Sequence, residues 1–150
     1  KLEKGPDLFV EYINKIKKDN LLILLGGWRR QYIMGRLEKE QINYKYIELA
    51  PMEQLRQMYA ACDLYVVSSR YEGGPQAILE ASTMGVPIVS RDVGMAKDVL
   101  SEECVFDIPQ KIYYPTKKDV DYGIINSKKF ELASIVDKYN DMFKKAVRDK

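Results

Sequence analysis

Histidine is absent from this chain of 150 residues. Its absence removes the commonest general base and the commonest metal ligand. Cysteine is scarce: Cys62 and Cys104 stand alone in apolar surroundings, with no CxxC spacing. They read as small core hydrophobes rather than redox or metal residues, and such sparing use fits a reducing cytoplasm. No apolar run approaches the roughly 20 residues of a membrane span. The opening Lys1-Leu2-Glu3-Lys4-Gly5-Pro6 does not resemble a signal peptide. An excess of one charge is lacking too, since 24 Lys and Arg against 22 Asp and Glu leave a net charge of only +2. So weak a field gives no general reason to expect nucleic acid. The chain also has no initiator Met and enters a helix at once, as expected of a piece of something longer.

What is present suits one soluble domain with a real core: 46% of residues are hydrophobic and 31% charged. Leu8, Phe9, Tyr12, Ile13 and Ile16 recur at helical spacing behind Gly5-Pro6-Asp7. Leu21 to Leu25 is an unbroken apolar run closed by Gly26-Gly27, as in a buried strand. A helix through Tyr32, Ile33, Leu37 and Glu40 follows, then a strand at Tyr44–Leu49, a helix at Met52–Ala61 and a strand at Leu64–Val67. A helix from about Pro75 to Met84, a strand at Pro87–Val89, a short helix near Met95–Leu100 and a weak strand at Cys104–Phe106 continue the alternation. These repeated units predict a Rossmann-like α/β fold, an open parallel sheet with helices on both faces. Residues 109–127, with Pro109, Pro115 and Gly123, predict a surface loop. A closing helix at about 128–148 then carries Leu132, Ile135, Val136, Tyr139, Met142, Phe143 and Val147 on one side.

In open parallel sheets ligands bind beyond the carboxyl ends of the strands. Three loops in that position carry glycine: Gly26-Gly27, Gly73-Gly74 and Gly94. Each leads into a helix whose free N–H groups favour an anion. More specific is the run Ser68-Ser69-Arg70-Tyr71-Glu72-Gly73-Gly74-Pro75-Gln76-Ala77-Ile78-Leu79-Glu80-Ala81. Pro75 suits a first helical position, and Glu80 falls in the second turn of a helix with no other charge. A carboxylate buried there needs donors, and no Lys or Arg lies within a turn of it. A ribose with paired hydroxyls would satisfy it; so would a distant arginine or water, and the residues alone leave these open.

The run Glu72-x7-Glu80, followed by Ala81-Ser82-Thr83-Met84-Gly85-Val86-Pro87-Ile88-Val89, resembles the donor motif of retaining glycosyltransferases of family four, which have the two-domain GT-B fold. Lys4-Gly5, Leu24-Leu25-Gly26-Gly27, Tyr46-Ile47-Glu48-Leu49 and Tyr59 to Ser69 resemble the family's flanking elements in order and spacing, over about residues 4 to 100. The resemblance implies that the chain is the C-terminal, donor-binding half of a GT-B fold. It implies that Glu80 binds the ribose hydroxyls and that Glu72, the catalytic candidate, lies beside the donor sugar. Backbone around Gly73, Gly74, Pro75 and Gln76 meets sugar and phosphates, and Lys4 neutralises the leaving diphosphate. Gly26 and Gly27 line the donor site, and backbone near Tyr46 and Ile47 touches the base. The implied donor is a UDP- or GDP-linked sugar, with no metal or other cofactor. The implied acceptor is a sugar or lipid-linked sugar held by an N-terminal domain outside this chain, in the cytoplasm or peripherally at the inner membrane face.

Two features depart from the family. Glu-Gly-Phe-Gly is usual where this chain has Glu72-Gly73-Gly74-Pro75, and Pro75 removes one backbone donor. The family's arginine before the Lys–Gly pair falls ahead of residue 1, so a first strand and one diphosphate clamp are expected to lie outside the chain. Asp119-Val120-Asp121 spells the DxD of metal-dependent glycosyltransferases but sits in a charged stretch, as a solvated loop would. Arg29-Arg30 fits a phosphate grip or an exposed helix start, and Tyr113-Tyr114 fits packing better than sugar stacking. Lys144-Lys145 with Arg148 and Lys150 fits a solvated helix end better than an anionic membrane surface. The competing functions are a non-catalytic nucleotide-sugar-binding module, a GT-B-type nucleotide-sugar 2-epimerase (disfavoured by the missing histidine) and a receiver-like signalling domain.

Overall fold

The computed structural model describes residues 2–16 and 21–148, with the side chain of Arg148 outside that description. After a 3₁₀ turn at Leu2–Lys4, Gly5 bends the chain at φ 55° into α1, Pro6–Ile16. Pro6 takes the first helical position, where its missing N–H costs nothing. The apolar spacing then buries Val10, Tyr12 and Ile13. β1 (Leu22–Gly26), α2 (Gln31–Lys39), β2 (Asn43–Ile47), α3 (Met52–Ala60), β3 (Tyr65–Val67), α4 (Gln76–Thr83), β4 (Ile88–Ser90) and α5 (Ala96–Val99) follow in the predicted order.

The strands hydrogen-bond as two parallel pairs. β1 pairs with β2 from Leu22 opposite Asn43 to Gly26 opposite Ile47, and β3 pairs with β4 from Tyr65 opposite Ile88 to Val67 opposite Ser90. Alternation along β3 and β4 sends Val67 and Ile88 into a core with Tyr59, Ile78, Ala81, Val86 and Val99. Val66 and Val89 go to the opposite face, into a core with Tyr12, Ile13, Ile23, Leu25 and Leu37. The second core joins the β3–β4 pair to β1, so β3 and β4 are covered on both faces, as their unbroken apolar runs require. The weak strand expected at Cys104–Phe106 is reduced to one bridge, Ser90 to Val105, beyond a 3₁₀ turn at Glu102–Cys104. Cys104 is buried, which pushes its thiol up to about 11, and Cys62 is half-buried; both are free, as small core residues.

The loop expected at 109–127 is a correction. Lys117–Ser127 forms α6, opened by a capping box in which Thr116 and Asp119 bond each other's backbone N–H groups. Gly123, read as a breaker, is buried against α4, where an added Cβ would lie 3.4 Å from Ser82 Oγ. It permits close helix packing rather than a turn. Asp119 is likewise no solvated loop residue. Its Oδ2 accepts from Tyr113 Oη at 2.8 Å, Thr116 N at 2.8 Å and Thr116 Oγ1 at 2.7 Å, and its Oδ1 accepts from Ser101 Oγ at 2.7 Å. Burial raises the carboxyl, but these donors outweigh it and hold it well below the usual carboxylate range. A depressed carboxyl stabilises the fold above its unfolded pKa of about 3.9, and that contribution is lost as pH falls. Asp119→Ala is therefore expected to cost about 2–3 kcal/mol at pH 7. The cost should shrink on acidification below about pH 4. Urea denaturation of both proteins at pH 7 and pH 3 checks this; an equal penalty at both would show that the carboxylate's charge is irrelevant.

A 3₁₀ turn, Lys128–Phe130, leads to α7, Leu132–Arg148. Its apolar side is as predicted, with Tyr139 and Phe143 rings stacked at 6.4 Å. The side is uncovered, however: Leu132 is 77% exposed and Val147 75%.

Candidate functional site

Gly5 is pressed against the end of β3, where a Cβ would lie only 2.0 Å from Ser68 O. The turn before it is fastened to the loop that follows β3. Arg70 N donates to Glu3 O at 2.7 Å, Arg70 Nη1 donates to Leu2 O at 2.8 Å, and Ser68 Oγ donates to Lys4 O at 3.2 Å. Arg70 also forks onto Asp7 at 2.9 and 2.5 Å. Held this way, Lys4 ion-pairs with Glu72 Oε1, which also accepts from Ser69 Oγ at 2.8 Å. Partial burial raises the Glu72 carboxyl, but Lys4 and Ser69 pull harder and leave it below its ordinary value. Glu72 is thus a largely covered anion beside a solvent-facing cation, since the Lys4 side chain is 53% exposed against 18% for Glu72.

These residues line an open cleft of about 560 Å³ with Arg70, Gly73, Asp92 and Gly94. Gly94 (φ 51°) lies under the motif: a Cβ there would meet Pro75 Cδ at 2.6 Å, Glu72 O at 3.2 Å and Gly73 O at 3.3 Å. The loop after β4 therefore sets the height of the loop after β3. Pro75 is the N-cap of α4 rather than its first residue, and it brings no side-chain cap. The first N–H groups of α4, at Gln76 and Ala77, have no intrahelical partner, as at any helix start. Gly74 and Gln76 are exposed there.

The other expected residues form a neighbouring group rather than part of that cleft. Gly27 (φ 85°) donates its N–H to Ile47 O at 3.1 Å, tying the carboxyl ends of β1 and β2 together. Arg30 folds back, its Nε donating to Gly26 O at 2.8 Å, and so supports the turn instead of standing free. Tyr46 and Ile47 are half-buried at the end of β2. Glu80 differs from the expectation of a buried carboxylate. α4 buries Ile78, Ala81 and Ser82, which leaves Glu80 on the exposed edge. Its Oε2 accepts from Tyr59 Oη at 2.9 Å.

Sequence reading missed Arg70, Ser69, Tyr59 and Asp92. Arg70 and Ser69 stood inside the motif run, and a charged residue between two strand-end glycine loops was the available signal. Tyr59 carried none, because a tyrosine in a helix reads as core. In the DxD, Asp119 accepts four hydrogen bonds from protein donors, and Asp121 pairs with Lys117 at 2.9 Å. Tyr113 packs between the two cores, as expected, and donates to Asp119. Lys144 and Lys145 are exposed along α7, consistent with a solvated helix end, and Lys150 lies outside the described residues. Among the described residues no helix is long and apolar enough to cross a membrane.

Residues 1–110 match the family model of "Glycosyl transferases group 1". The chain is similar to the "O-antigen chain mannosyltransferase B" of Escherichia coli, at 34% identity over 85 residues, 54% of this chain and 22% of that protein. It is similar to the E. coli "O-antigen biosynthesis glycosyltransferase WclY", at 19% identity over 106 residues, 70% of this chain and 30% of that protein. The chain therefore spans less than a third of these relatives. Among solved structures, Anabaena HepE in complex with UDP superposes at a TM-score of 0.73 and 16% identity, covering 97% of this chain and 46% of HepE. The fold is that of the C-terminal half of a GT-B glycosyltransferase. With a family match over more than two thirds of its length, the chain belongs to the glycosyl transferases group 1 family.

Proposed function

We propose that this chain is the donor half of a retaining glycosyltransferase, which binds a nucleoside-diphosphate sugar and presents its anomeric carbon to an acceptor hydroxyl. One observation carries the reading: Lys4 pairs with Glu72 in the loop that leads into the uncapped α4, and Glu80 is exposed on the second turn of that helix. Lys4 and the α4 N–H groups would receive the diphosphate. A flexible ammonium and backbone dipoles suit that charge and replace a metal. Glu80 would accept from the ribose hydroxyls, as an ionised carboxylate only accepts. Glu72, anionic beside the sugar, would favour positive charge developing at the anomeric carbon. That both E. coli relatives are named for O-antigen synthesis favours a growing polysaccharide or glycoconjugate as acceptor.

Calorimetric titration with UDP, GDP and ADP, with Glu80→Ala in parallel, tests this. One nucleotide is expected to bind, and the variant to lose about 1–3 kcal/mol, the size of a lost hydrogen bond to a charged group. Equal binding by both proteins would remove Glu80 from the site. No binding at millimolar concentration would sink the donor-site reading.

A further inference from the structure

We propose that Tyr59 is a positioning residue of the donor site: its hydroxyl holds one oxygen of Glu80 so that the other stays presented to the paired hydroxyls of a ribose. The inference rests on the ribose reading of Glu80 given above. Tyr59 sits on α3, 7% exposed, with its ring tilted against Tyr65 at 5.6 Å between centroids and 59° between planes. From this fixed base the hydroxyl reaches across to α4 and donates to Glu80 Oε2 at 2.9 Å. No other hydrogen bond to the Glu80 carboxylate is present among the described residues.

An exposed glutamate samples many rotamers, and a ligand that needs one of them must supply the ordering. A tether from a buried phenol, which has only two side-chain torsions, imposes that ordering before the ligand arrives. An ionised carboxylate has about four acceptor positions. One bond at Oε2 leaves Oε1 and part of Oε2 for two vicinal hydroxyls. Burial, aided by Tyr65 and Glu80, drives the Tyr59 phenol far above its usual range, so it stays a donor throughout the working pH range. Packing alone would need only the ring, which phenylalanine also supplies. The hydroxyl has its use in the bond to Glu80.

The test compares UDP, GDP and ADP with their 2′-deoxy counterparts on the full chain, using wild type, Tyr59→Phe, Glu80→Ala and the double variant. For the nucleotide that binds, wild type should favour ribose by about 10-fold or more, and Glu80→Ala should erase the preference. Tyr59→Phe should weaken ribonucleotide binding about 5-fold and leave the deoxynucleotide within about twofold, at unchanged melting temperature. The double variant should be no worse than Glu80→Ala alone. If Glu80→Ala erases the preference but Tyr59→Phe leaves it at the wild-type value, the positioning role is wrong and the ribose reading stands. If Glu80→Ala leaves the preference intact, or no nucleotide binds, the ribose reading and this inference fall together.

Discussion

Gly5→Ala is expected to destabilise the protein by about 2–5 kcal/mol, among the largest effects of any single methyl group in the chain. Two costs combine. At φ 55° an L side chain strains the backbone, and the new Cβ would lie 2.0 Å from the Ser68 carbonyl oxygen, a fixed main-chain atom. Relief requires moving either the end of β3, whose Val67 is 7% exposed in the core, or the Leu2–Lys4 turn. Moving the turn would displace Lys4, the proposed diphosphate ligand, so nucleoside-diphosphate affinity should fall together with stability. Gly73→Ala is the control, because a Cβ there meets nothing within 4 Å and φ is not positive. It should change stability by less than about 0.5 kcal/mol. Urea denaturation midpoints of the two variants decide the matter, and a Gly5→Ala protein within 1 kcal/mol of wild type, a bound well under the expected ~2–5, would show that the turn yields easily.

Glu72→Gln is expected to move affinity and turnover in opposite directions. In the free protein Lys4 is occupied by Glu72, so an incoming diphosphate must compete for it. A half-exposed ion pair is worth about 1 kcal/mol or less. Neutralising Glu72 should therefore tighten nucleoside-diphosphate binding by up to about fivefold. Glycosyl transfer by the protein with a complete acceptor site should nevertheless fall about 10²–10³-fold, because the charge proposed to lie beside the anomeric carbon would be gone. Calorimetry with the diphosphate and a transfer assay with the intact donor separate the two effects. Unaltered transfer with tighter diphosphate binding would reduce Glu72 to a tether for Lys4.

The alternation of strands and helices was legible because β1, β3 and β4 lie in apolar runs, the first closed by Gly26-Gly27, and because α1 and α4 carry helical periodicity between clear stops. Glu72, Gly73 and Lys4 were legible through the motif, and the fold does bring them to one cleft. α6 was not legible. Pro115, Gly123 and a lysine pair looked like punctuation, whereas Thr116 and Asp119, three residues apart, were the helix-start signal that decided it. The surroundings of Glu80 were hidden for a different reason. Its partner Tyr59 lies 21 residues earlier on another helix, and only tertiary packing brings the two together. Arg70 was obscured in the same way, since its hydrogen bonds run back to Leu2 and Asp7.

The uncovered stripe of α7 has an energetic consequence. None of its described residues is buried, so tertiary packing adds little to its intrinsic helicity. A solitary helix of 17 residues is only marginally stable in water. α7 is thus expected to open as a separate unit of low cooperativity on a better-packed domain, without disturbing the residues around Lys4, Glu72 and Glu80. Its backbone amides should exchange with solvent on their own schedule, indifferent to nucleotide and slowed by whatever surface closes over Val136, Tyr139 and Phe143.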